Sequence, residues 1–251
     1  MKQAPTYIIP LTLGVLLTAA VASAQPAGKT AWSSLVPSAD QPRDMATALK
    51  LLLGFSVLSL APALLIMLTS FTRIIIIFGL LRSALGTQQT PPNAVLVGLA
   101  LFLTFFIMYP VWQQIDQKAL QPYLTGSIKF EVALERAAAP LRAFLFNQTR
   151  DKDIGLFVGL AQLPRPRSRD DVPLRVLVPA FIISELRSAF QIGFVLFIPF
   201  VVLDLIVSSV LMSMGMMMLP PVMISLPIKI LLFVMVDGWH LITRSVVLSF
   251  R

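Results

Sequence analysis

The sequence predicts an all-α, membrane-associated fold made of bent helical hairpins, and three observations predict it. Hydrophobic residues make up 57% of the 251 and charged residues only 13%, about half the ~25% charge of a soluble protein. Four long apolar stretches follow one another: Thr47 to Leu81, Ala94 to Trp112, Leu174 to Ser213 and Val222 to Phe250. The joins within each pair carry consecutive prolines, Pro91-Pro92 and Pro220-Pro221, which end helices and force tight turns.

The N-terminus reads as a targeting segment. Lys2 supplies a positive start, an apolar run lies between Tyr7 and Val21, and Ala22-Ser23-Ala24 has the small-x-small form of a cleavage site. Residues 1–24 are therefore expected to be removed, with cleavage after Ala24; the competing reading is an uncleaved first membrane helix. Residues 25–45 are rich in Ala, Ser and Pro and read as a short exported tail.

Residues 46–112 form the first expected hairpin and residues 174–251 the second. Continuous helices over Thr47–Leu81 or Leu174–Ser213 would each exceed ~50 Å at ~1.5 Å per residue, against ~30 Å of hydrocarbon. Pro62 and Pro199 are expected to break them. Broken helices expose backbone polar groups, which only surrounding protein or a wet cavity tolerates.

Charges inside these stretches point the same way. Arg73, Glu185, Arg187, Asp204, Lys229 and Asp237 lie in otherwise apolar sequence, each costing roughly 2.5–3.5 kcal/mol or more at a bilayer centre. Their spacing along the chain offers no good pairing within one helix, so partners must come from other helices or other chains.

Residues 113–173 are a longer, mixed-charge segment. Phe130 to Phe146 has helical spacing of Val132, Leu134, Leu141, Phe144 and Leu145, with a break expected at Pro140. A second apolar patch runs from Ile154 to Leu163, and Pro164 to Asp171 is a solvated loop. With an exported N-terminus and an even number of preceding spans, this segment falls on the outer, periplasmic side.

Enzymatic signatures are missing from the sequence. It has no cysteine and one histidine, His240, and shows no H-E-x-x-H, phosphate-binding glycine loop or G-x-S-x-G. No cofactor or metal is expected. Despite a net charge of +8, the basic residues are scattered, a poor footprint for nucleic acid. Glu185, Asp204 and Lys229 leave open a small-solute or proton-coupled transporter, although no internal repeat supports one.

Several motifs in order carry a resemblance: Leu68–Ile74 (LTSFTRI), Pro179–Phe194 (PAFIISELRSAFQIGF), Pro199–Leu205 (PFVVLDL), Met214–Pro221 (MGMMMLPP), Leu226–Lys229 (LPIK) and Val236–Trp239 (VDGW). Together they resemble the FliP family of flagellar type III protein-export gates, from about residue 45 onward; the injectisome homologues are a second possibility. The resemblance implies a homopentameric ring in the bacterial inner membrane, within the flagellar basal body and rising toward the periplasm. It implies FliQ and FliR as partners, FliO as an assembly helper in some species, and unfolded flagellar proteins as cargo.

It also implies two sites. Glu185 and Lys229, carried over from the family motifs, are expected to pair between subunits, with Arg73, Asp204 and Asp237 as further buried ionisable groups. The loop holding Met216, Met217 and Met218 is expected to face the pore axis as a deformable hydrophobic gasket, since thioether side chains repack at little cost.

Overall fold

A computed structural model describes residues 42–164, 166, 168–216 and 218–250. The expected cleavage site at Ala22 and Ala24, most of the exported tail, and Met217 lie outside the described residues. The described chain is helical: α1 (Pro42–Met67), α2 (Phe71–Ala84), α3 (Asn93–Ile115), a π-helical turn (Asp116–Leu120), α4 (Gln121–Leu124), α5 (Phe130–Gln148), α6 (Asp151–Leu160), a 3-10 turn (Arg169–Asp171), α7 (Leu174–Ser213), α8 (Pro221–Met235) and α9 (Gly238–Leu248). The described residues up to Ala61 form one compact unit and Pro62–Arg251 another.

The first apolar stretch breaks later than expected. Pro62 lies inside α1, which continues to Met67. There the Thr69 hydroxyl donates to the Ile66 carbonyl at 2.9 Å and accepts the Phe71 amide at 3.4 Å. A hydroxyl competing for backbone partners stops the helix where one missing proline amide did not.

In α2, Ile74, Ile77, Phe78, Leu81 and Ala84 recur at helical spacing and are buried, with Arg73 buried beside them. In α3 the buried stripe is Leu96, Ala100, Thr104, Met108 and Val111, a single face of a 3.6-residue period. α2 packs on α3 and, more extensively, on α7. Their shared core adds Ala189 and Phe200 of α7, Phe233 of α8, and Ile242 and Val246 of α9. At Gly193 a Cβ would come within 2.2 Å of the Leu80 side chain, so glycine there sets how closely α2 and α7 approach.

The polar segment packs into a second cluster. Leu145 and Phe146 of α5 and Val158 of α6 cover Val176, Leu177 and Phe181 at the start of α7. Pro140 does not break α5. Its ring is buried, and this packing offsets the single lost hydrogen bond.

Pro179 and Pro199 likewise leave α7 continuous over 40 residues, about 60 Å at 1.5 Å per residue. Twice the hydrocarbon thickness, it resolves its length by packing: its beginning is embedded in α5 and α6, and only the remainder forms a hairpin with α8. The helix ends in a Schellman motif, with Met216 N–H donating to Leu211 O and Gly215 N–H to Met212 O, both at 3.0 Å. Gly215, at φ +74°, supplies the left-handed residue that motif requires. α3 through α4 and α7 are long and apolar enough to cross a membrane, and α8 with α9, bent by 66° at their junction, make a third broken candidate.

Candidate functional site

The charges in the apolar helices converge at two levels of α7. At the first, Arg73 of α2 reaches Glu185: Nε donates to Oε2 at 3.0 Å and Nη2 to Oε1. The same guanidinium donates through Nη1 to the Ser249 carbonyl at 2.8 Å and hydroxyl at 3.0 Å, and through Nη2 to Gln148 Oε1 at 3.0 Å. The Phe250 ring lies 3.8 Å from the guanidinium carbon. Side-chain exposure is 4% for Arg73 and 0% for Glu185. A pair this enclosed is tolerable only because every direction of the fork finds an acceptor.

One residue back on α7, Ser184 serves the opposite side. Its hydroxyl accepts the Arg150 amide at 2.9 Å and donates to Asp153 Oδ2 at 3.0 Å. Arg150 also donates to Gln191 Oε1 at 2.6 Å, and Arg187 stands 3.7 Å from Asp153. Adjacent residues of one helix thus tie α6 on one flank and α2 with residues 249–250 on the other.

At the second level Lys229 of α8 donates to Asp204 Oδ2 at 2.6 Å and to the Ala84 carbonyl at 3.1 Å. The lysine side chain is 6% exposed and the aspartate 38%. This pair is enclosed at the lysine and only partly enclosed at the aspartate, whose Oδ1 is itself buried.

The expected Glu185–Lys229 pair between subunits is therefore corrected: each residue has its counter-charge within the chain, Arg73 for Glu185 and Asp204 for Lys229. The rule that the charges need partners from other helices holds, but the partner assignment differs because α2 lies between α7 and the end of the chain. Asp237 stands apart from both pairs. It is exposed, and it occupies the α8–α9 break at φ 50° rather than a helix interior. Aspartate is among the few residues that adopt this conformation readily. Sequence reasoning missed Gln148, Ser249, Ser184 and Asp153. Only the position of Ser184 beside Glu185 hinted at a polar cluster.

Of the methionine segment, Met216 and Met218 lie between α7 and α8 outside any helix, 44% and 100% exposed.

The FliP family model matches residues 54–246, a stretch that holds both ion pairs and the methionine segment. The flagellar biosynthetic protein FliP of Bacillus subtilis is 54% identical over 213 residues, covering 85% of this chain and 96% of its own length. That of Pectobacterium carotovorum is 55% identical over 193 residues, covering 77% and 75%. That of Caulobacter vibrioides is 53% identical over 196 residues, covering 78% and 74%. With a family match across both ion-paired levels of α7 and relatives sharing half their residues, the chain belongs to the FliP family.

Proposed function

We propose that the chain is a core subunit of the flagellar type III protein-export gate. Five copies form a ring in the inner membrane at the basal body, joined by FliQ and FliR and helped by FliO, and unfolded flagellar proteins pass through it. The observation that carries this reading is the family match over residues 54–246. The geometry supports it from a second direction: the chain neutralises its deepest charges internally while leaving apolar faces on α3 and α7 exposed. Such a subunit suits burial among neighbours. A transporter would keep Glu185, Asp204 and Lys229 free around a substrate, whereas each of the three holds a counter-charge.

The ring's pore is sealed by Met216, Met217 and Met218. What supports this is an uncharged loop with a fully exposed Met218 and unbranched thioethers that deform around any passing chain. Particle images of the complex purified from membranes are expected to show several copies of this chain with FliQ and FliR. A stable monomer that transports a small solute would overturn the reading. Replacing the three methionines by alanine is expected to raise ion leakage across the inner membrane while some export persists. Tight membranes with normal export would return them to packing.

A further inference from the structure

The ion pairs leave a remainder. Among the described residues of α7, α8 and α9, Glu185, Arg187, Asp204 and Lys229 all have a counter-charge in the chain, and Arg175 stands in the first turn of α7, beside the polar segment. Arg175 is exposed and without a counter-charge in the described chain, but it lies at the polar end of α7. Deeper in the apolar stretches two charged side chains of opposite sign are left over, Asp237 at the α8–α9 break and Arg244 on α9, both exposed and neither engaged by a side-chain bond within the described chain.

Arg244 lines an open groove between α3 and α9 whose walls include Leu99, Phe106, Trp239, His240 and Val247. No acidic side chain lines this groove. Leu99 and Phe106 belong to the middle of the apolar run of α3. An arginine at that level facing lipid is costly, and such residues in membrane helices pair or face other protein. Asp237 is not part of the groove, and seven residues separate it from Arg244, about 10 Å along a helix. The unmatched acid and the unmatched base therefore occupy two different patches of one apolar helix pair.

We infer that Asp237 of one copy of this chain pairs with Arg244 of the next, the groove between α3 and α9 receiving the α8–α9 break of its neighbour. Two different patches that complement each other make a head-to-tail contact, which closes into a ring when the rotation permits. This inference rests on the multi-copy reading above, and it moves the charge contact between subunits from Glu185–Lys229 to Asp237–Arg244.

The chain has no cysteine, so the seam can be tested by directed disulfides in the full-length protein in its native membrane. A chain carrying Asp237→Cys is co-expressed with one carrying Arg244→Cys, and oxidation is expected to give a covalent dimer. The double-cysteine chain is expected to give a ladder of multimers, whereas cysteine at position 237 alone or 244 alone does not. In parallel, Arg244→Asp or Asp237→Arg is expected to lose most of the assembled ring on native electrophoresis, and the two together to restore it. Rings that form without the mixed disulfide, or single reversals that assemble as wild type, overturn the seam and leave the export reading intact. Cross-links only to another membrane protein also overturn it. If wild-type chains form no ring, the multi-copy reading itself fails.

Discussion

The two halves of α7 are one continuous helix, yet they do different work. Eight of its eleven buried residues, from Val176 to Gly193, fall in the first half, and only Phe200, Val207 and Leu211 in the second. The first half holds Ser184 and Glu185 with no exposure and is gripped by α2, α5 and α6. The second half shows Phe194, Val195, Leu205 and Ile206 more than half exposed. The ion pairs repeat the contrast in a weaker form, one enclosed on both partners and one partly exposed at its aspartate. The chain thus encloses the first half of the helix within itself and leaves most of the second half's apolar surface uncovered. Substitutions should therefore act on stability in the first half and on assembly in the second.

The largest effect tests the enclosed level. Glu185→Ala leaves Arg73 buried without its carboxylate, a loss of about 3–5 kcal/mol, a large share of the ~5–15 kcal/mol typical of a folded domain. The expected outcome is a sharp fall in membrane-inserted protein and a lower melting temperature in detergent. Normal abundance and melting would show that the first half is not anchored by this pair. Next comes Leu177→Ala, which opens a cavity where the side chain is fully buried and is expected to cost about 2–5 kcal/mol.

The partly exposed level should respond less. Asp204→Asn keeps an acceptor for Lys229, which also retains the Ala84 carbonyl, and removes only the charge from one partner. The expected loss is clearly smaller than that of Glu185→Ala, because the hydrogen bonds to Lys229 are kept and the lost counter-charge is partly screened by its exposure. If melting of the purified chain shows Asp204→Asn to be as damaging as Glu185→Ala, the distinction between enclosed and partly exposed levels fails.

The same contrast explains what could be read from the sequence. Helical class, the two hairpin joins and the need to pair the intramembrane charges were legible, because composition, consecutive prolines and the cost of a charge in lipid are local properties. Single prolines misled: Pro62, Pro140 and Pro199 each lose one hydrogen bond, and packing or neighbouring turns decide where the helix ends. Partner identity was not legible either. Arg73 and Glu185 are 112 residues apart in sequence, and their meeting depends on α2 lying against α7, which no residue spacing encodes. Gln148 and Ser249 were invisible for the same reason, being ordinary polar residues until Arg73 is brought to them. Length arithmetic did locate a real problem in α7, and the chain meets it by burying the first half against the polar segment rather than by ending the helix at Pro199.

The smallest effect on the isolated chain is the one that separates the two halves most sharply. Leu205→Ala removes the same atoms as Leu177→Ala from the same helix, and alanine is at least as good a helix former. Leu205 is 62% exposed whereas Leu177 is fully buried, so far less contact within the chain is lost. In detergent, which covers exposed apolar surface without specificity, the change should lie within about 0.5 kcal/mol of wild type. If, as proposed, neighbouring protein covers this half in the export gate, the missing side chain leaves a void against a packed surface. The expected result is unchanged melting of the purified monomer together with a lower yield of intact complex from membranes and slower flagellar export. Equal effects of Leu205→Ala on monomer and complex would show that the second half meets lipid rather than protein.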